Sequence, residues 1–320
     1  MNGRIKSQTE AFSAVLLELV TADPRVYALS ADMGSRIIAA FMKARPDRFL
    51  NFGIAEQGMM GAAAGLALSG LIPFVTTISV FLSMRTLEQV RTDIAYPGLN
   101  VKIVATGGGL SYGALGPTHQ GLEDLSLMRA IANLVVMAPA DAAETRSALK
   151  AAAAHAGPVY IRLGRGPVPV IHVEEEVADF QIGRAIELHQ GNDVTLLATG
   201  TLLSAALQAA EELARRGLEA RVLSVPTVKP LDEAAVLRAA TETQGLVTIE
   251  DNRLTGGFGS AVAEFLSITR PTPLRMIGIP EVYPVVGTPE ELYREYHMDV
   301  PDIVAAALDV CEARQKRVRT

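Results

Sequence analysis

A chain of 320 residues, 49% hydrophobic and 20% charged, has the length for two domains and the apolar content for a substantial core, which excludes global disorder. The net charge of -6 argues against a general nucleic-acid binder, and the single cysteine, Cys311, excludes an internal disulfide and a cysteine-based metal cluster. Five scattered histidines show no HExxH-type spacing, and residues 1–10 are polar and mixed in charge, unlike a signal peptide, so the expected compartment is the cytoplasm.

In chain order, an apolar strand is expected over 25–30, a helix over 55–69, a strand over 71–77 and one helix over 80–96, ended by the turn Pro97-Gly98. Strands at 101–106, 134–138 and 159–162 then alternate with helices at 122–132 and 141–155. Residues 58–84 contain no charge, a length that raises the question of a membrane span, which needs about 20 apolar residues. Gly70 and Pro73 interrupt the run and Thr76, Thr77 and Ser79 follow, so buried elements of a soluble protein explain it, and no membrane association is expected. The rhythm breaks between 166 and 190, where two prolines and the acidic triplet Glu174-Glu175-Glu176 occur. The expected division is a first domain over 1–172, a linker over 173–190 and a second domain over 191–320.

The second half repeats the alternation: strands at 193–198, 220–225, 246–250 and 274–279, and helices at 201–217, 232–241, 256–267, 289–296 and 301–314. Continuous apolar strands between helices predict an α/β fold of two domains, each a mostly parallel sheet flanked by helices. The basic end, Arg314 to Arg319, reads as a solvated tail.

Four elements in the first half are candidates to carry the chemistry. Glu56 stands alone at the head of the uncharged run, where burial would raise its pKa or demand a partner. Thr77-Ile78-Ser79-Val80-Phe81 crosses from strand to helix; Gly107-Gly108-Gly109 leads through Gly116-Pro117-Thr118-His119-Gln120; and Arg162-Leu163-Gly164-Arg165-Gly166 follows a strand. Ligands of open parallel sheets bind beyond the carboxyl ends of the strands, and all four elements follow one. Each alone has a plainer reading: Glu56 as a salt-bridge partner, Phe81 as core, His119 as surface, the glycines as a turn. Gly58, Gly61 and Gly65 share one helix face, which calls for close packing of another helix, in the core or at a subunit interface.

Taken together, FLNFGIAEQGMMGAAAGLALSGLIPFVTT, GPTHQGLEDLSLMRAIANLVVMAPAD and GPVYIRLGRG resemble the pyrimidine-binding domain of transketolases, and LDEAAVLRAA and IEDNRLTGGFGSAVAEFL resemble that family's C-terminal domain. The resemblance spans nearly the whole chain and is nearest to the free-standing C-terminal subunit of split transketolases. It implies thiamine diphosphate as cofactor at a subunit interface, with Mg2+ (or Ca2+) and the diphosphate bound mainly by an N-terminal partner subunit through a GDG motif, which is absent from these 320 residues. An α2β2 heterotetramer with self-association follows, acting on sugar substrates.

By the same resemblance Glu56 bonds the pyrimidine N1′ and is catalytic. Phe81 stacks on the pyrimidine, flanked by Ile78 and Met84. His119 faces substrate and moves protons, and Arg165 binds the substrate's terminal anion. Asp32 lies near the cofactor or caps a loop, and Ser35 (or Arg36, one residue on) falls at a phosphate-binding serine. Leu115 and Gly107 depart from the family's aspartate and histidine, which turns the expectation from standard pentose phosphates toward branched or sulfonated sugars. The reaction implied is transfer of a two-carbon ketol unit from a ketose to an aldose. Rival readings are a 2-oxoacid dehydrogenase beta subunit, a deoxyxylulose-phosphate-synthase-like enzyme and a non-catalytic regulatory subunit.

Overall fold

The computed structural model describes residues 4–32 and 39–319. Fourteen strands occur among them. In chain order they are β1 (Ile5–Ser7), β2 (Val26–Ser30), β3 (Phe49–Asn51), β4 (Ile72–Ile78), β5 (Lys102–Thr106), β6 (Val135–Met137) and β7 (Val159–Arg162). There follow β8 (Pro167–Pro169), β9 (Ile186–His189), β10 (Val194–Ala198), β11 (Ala220–Ser224), β12 (Thr227–Lys229), β13 (Leu246–Arg253) and β14 (Leu274–Ile279).

The first sheet has the order β12-β6-β7-β5-β4-β2-β3, the second β14-β13-β10-β11-β9, and β1 pairs antiparallel with β8. Strands β2 to β7 are mutually parallel, and only β12 is antiparallel in the first sheet. The period-2 alternation of a parallel sheet covered on both faces is explicit in its centre. Ala28, Phe74, Val104 and Ile161 pack on one face with Phe12, Val15 and Leu149 from the helices Gln8–Ala22 and Ala142–Ala154. Their neighbours Leu29, Val75, Ile103 and Tyr160 pack on the other with Met59 and Ala63 of the helix Glu56–Leu68.

Short polar signals begin the helices. Ser7 caps Gln8–Ala22 through the amide of Glu10, Asp141 caps Ala142–Ala154, Asp232 caps Glu233–Glu242, and Thr288 with Glu291 forms a capping box on Pro289–Glu295. The uncharged run resolves into a helix, β4 and the short helix Ser79–Met84. Among the described residues no helix is long and apolar enough to cross a membrane.

Besides the helix Gln8–Ala22 and the short strands β1, β3 and β8, which were not expected from the sequence, three features differ from expectation. The single helix expected over 80–96 is three pieces, because Thr86 leaves helical geometry (φ -110°, ψ 12°) while its hydroxyl donates to the Leu82 carbonyl, and a wide π-type turn follows over Val90–Ala95. Strand β9 forms within the segment expected to be linker and joins the second sheet. Strand β12, from the second half, joins the first sheet beside β6, and one buried cluster runs from Leu29 and Met59 through Leu223 and Val236 to Phe258.

Candidate active site

Every element singled out from the sequence leaves the carboxyl end of a strand of the first sheet. Asp32 follows β2, Glu56 follows β3, Phe81 follows β4, the glycine loop with His119 follows β5, and Arg165 follows β7. The strands order β7-β5-β4-β2-β3, so these residues are laid side by side along one rim.

Glu56 opens its helix and is buried, and its carboxylate accepts from Nη1 of Arg85 at 3.1 Å on each oxygen. The pair is lopsided: the Arg85 side chain is 45% exposed, the Glu56 side chain 5%. The same guanidinium lies over the Phe81 ring, 4.0 Å from its centroid. Phe81 meets the His119 imidazole edge-to-face, with centroids 5.5 Å apart. His119 meets Tyr112 at 6.2 Å, and Arg165 lies over the Tyr112 ring at 4.4 Å. A continuous contact path therefore runs Glu56–Arg85–Phe81–His119–Tyr112–Arg165, joining the four sequence candidates through two residues, Arg85 and Tyr112, that sequence reasoning passed over. An arginine four positions after Phe81 and an aromatic inside a glycine-rich loop were the available signals.

The other candidates stand apart from this path. Ile78 ends β4, half-buried. Met84 is half-exposed and lines a cavity of about 530 Å3 with Glu123, Arg253 and Tyr283. Asp32 is exposed with φ 47°, left-handed geometry that aspartate tolerates better than most residues. Ser35 and Arg36 lie outside the described residues. Leu115 is half-exposed at the end of the 3-10 turn Leu110–Leu115.

The loop is held rigid from behind. Thr118 Oγ1 lies 2.9 Å from Nδ1 of His119, which leaves Nε2 for a ligand. Gly107 has φ 69°, and a Cβ there would fall 1.9 Å from Cε2 of Tyr112. At Gly109 (φ 65°) a Cβ would fall 1.9 Å from an Asp251 carboxylate oxygen. That carboxylate, from β13, accepts from the Leu110 amide at 3.1 Å and from the Tyr293 hydroxyl at 2.8 Å. The buried Arg162 donates to the carbonyls of Gly121 and Asp251 and lies 3.4 Å from the Asp124 carboxylate, which accepts from the Tyr160 hydroxyl at 2.8 Å. Burial pushes the Asp124 and Asp251 carboxyls upward, with the Arg162 charge opposing.

The sequence matches the profile described as transketolase, pyrimidine binding domain, over residues 6–170, and that described as transketolase, C-terminal domain, over 183–303. It is 42% identical to the 6-deoxy-6-sulfo-D-fructose transketolase subunit of Clostridium sp. strain MSTE9, covering 96% of this chain and 95% of that one. It is 39% identical to one of the subunits of the apulose-4-phosphate transketolase of Phocaeicola vulgatus, covering 94% and 96%. A solved split-gene transketolase, an inactive beta4 tetramer, is 41% identical with a TM-score of 0.87, covering 96% of this chain and 98% of that one. The Campylobacter jejuni transketolase, at 23% identity and a TM-score of 0.82, shares the fold, and this chain covers 47% of its length. The chain belongs to the transketolase family and matches, over nearly its full length, the subunits that carry the pyrimidine-binding and C-terminal domains in split-gene members.

Proposed function

We propose that this chain works with a separate N-terminal subunit as a thiamine-diphosphate-dependent transketolase, moving a two-carbon ketol unit from an anionic or branched ketose to an aldose. The contact path from Glu56 to Arg165 is the observation that carries this reading. It puts a buried carboxylate and an aromatic ring at one end, an imidazole in the middle and a guanidinium at the other end. The partner supplies the diphosphate and Mg2+ (or Ca2+) site. The assembly is an α2β2 heterotetramer in the cytoplasm.

The residues fit a pyrimidine. Arg85, a flat cation with in-plane N–H donors, already fills the slot between the Glu56 carboxylate and the Phe81 face. An aminopyrimidine has a similar flat outline and can hydrogen-bond to the same carboxylate. Bound thiamine diphosphate supplies the nucleophilic carbon that cleaves the bond beside the ketose carbonyl. Glu56, released from Arg85, would hydrogen-bond the pyrimidine ring and hold the proton shared with it. Phe81 covers the ring face and excludes water. His119, oriented through Nδ1 by Thr118, presents Nε2 to the substrate oxygen and moves its proton. Arg165 binds the terminal anion.

Reconstitution of the chain with its partner, thiamine diphosphate, a ketose and an aldose tests the reading. Ketol transfer without an added oxidant is expected, which separates a transketolase from a 2-oxoacid dehydrogenase. Absence of transfer by a properly assembled complex refutes it.

A further inference from the structure

We infer that Tyr112 sets specificity at the far end of the substrate, holding Arg165 in place for a terminal tetrahedral oxyanion, a phosphate or a sulfonate, and that it does so only because residue 107 is glycine. The inference rests on the transketolase reading for the identity of the substrate, but its geometry stands alone.

Three observations converge. First, the Tyr112 ring and a side chain at 107 are mutually exclusive. An ideal Cβ on Gly107 falls 1.9 Å and 2.4 Å from two ring carbons of Tyr112, and the backbone there has φ 69°. Any L-residue at 107 would both strain the backbone and expel the ring. Second, the Arg165 guanidinium lies over that ring at 4.4 Å. Arg165 is exposed, and among the described residues the Tyr112 ring is the contact seen for its guanidinium. A guanidinium resting on an aromatic face keeps N–H donors free for a planar or tetrahedral oxyanion. Burial pushes the Tyr112 phenol upward, the Arg165 charge opposing, which keeps the ring neutral beneath the cation. Third, Tyr112 and Arg165 together line a cavity of about 560 Å3 with Thr9, Glu10, Ser13 and Thr106, and Tyr112 also meets His119. One aromatic residue thus links the imidazole expected at the reacting carbons to the cation expected at the opposite terminus.

The test uses the reconstituted complex with Tyr112→Leu, Tyr112→Phe and Arg165→Lys. Binding of fructose 6-phosphate and of 6-deoxy-6-sulfofructose is measured by calorimetry, and KM and kcat are measured for both and for erythrulose, a ketose without an anion. Tyr112→Leu should weaken binding of at least one anionic sugar about tenfold and raise its KM relative to that for erythrulose by about the same factor, with the effect in KM rather than kcat. The arm showing the loss identifies phosphate or sulfonate as the group recognised. Tyr112→Phe, which keeps the ring, should stay within about twofold of the parent, the scale below which a stacking contact of this kind has not been removed. If Tyr112→Leu fails to assemble, Arg165→Lys, which keeps the charge and loses the flat guanidinium, should show the same selective loss. Equal KM increases for erythrulose and the anionic sugars, unchanged affinities in Tyr112→Leu, or a parent complex that binds neither anionic sugar would each overturn the assignment. Tyr112-dependent binding without ketol transfer would instead overturn the transketolase reading and leave this one standing.

Discussion

Glu56 is a buried acid whose visible partner is a half-exposed arginine, an arrangement that is easily reopened because the Arg85 side chain can swing into solvent. Glu56→Gln keeps the shape and removes the ability to hold and release a proton. The expected outcome in the complex is a fall in kcat of about 10²–10³, with partner binding retained, measured by ketol transfer and sedimentation. Near-normal turnover would remove Glu56 from the chemistry. A second acid, Glu250, is fully buried beneath the start of the helix Phe258–Thr269, accepting from the amides of Phe258 and Gly259 at 2.7 Å each. Burial pushes its carboxyl up to about 7 against the pull of those amides. A carboxyl raised on folding stabilises the fold fully below its unfolded value of 4.5, and this is lost as pH rises through 7. Urea titrations from pH 4.5 to 8 should therefore show the parent losing up to about 3 kcal/mol relative to Glu250→Gln, and parallel curves would refute the shift. The acid, imidazole and cation of the candidate site could be singled out in the sequence because each stands in a distinctive local string. Arg85 and Tyr112 were not, because their importance comes from what lies across the rim and not from their neighbours in the chain.

The helix Glu56–Leu68 contains three glycines on one face, at 58, 61 and 65, and each is exposed, with nothing within 4 Å of a Cβ built on it. Among the described residues nothing makes the packing that these glycines imply, and of the two options read from the sequence we propose the subunit interface. Gly61→Leu should leave the isolated chain as stable or more stable, by about 0.5–1 kcal/mol from helix propensity, and weaken its assembly. Thermal melting and sedimentation velocity check the two halves of this prediction, and undiminished assembly would sink it. Element by element, longer apolar strands were readable to within a residue or so, as at β4 and β5, since their pattern is local. The helix Gln8–Ala22 was missed: the polar first ten residues conceal its cap at Ser7, and its apolar and polar faces contrast weakly. Strands β1, β3, β8, β9 and β12 span three or four residues and exist because a partner strand lies beside them, information that no local window contains.

Across the whole molecule, Arg162 is the cation between Asp124 of the first half and Asp251 of the second. Arg162→Met would leave two buried carboxyls without a counter-charge. A loss of about 3–5 kcal/mol at neutral pH is expected, partly recovered at acid pH as the carboxyls take up protons, with chemical denaturation as the measurement. A loss below about 1 kcal/mol would mean that the network stabilises nothing beyond an exposed pair. The α/β class and the two-part organisation could be read from alternating strands and helices, whereas the stitching of the two parts could not, because it depends on a three-residue strand and a buried ion. That strand, β12, has a consequence for how the molecule can be cut. A fragment ending near residue 182 would lose the strand that covers β6, baring unpaired amides and carbonyls along Val135–Met137 and the apolar surface that Val228 now covers. Such a fragment would behave as a sticky sheet edge rather than as a free-standing domain. The two lobes must therefore be expressed as one piece.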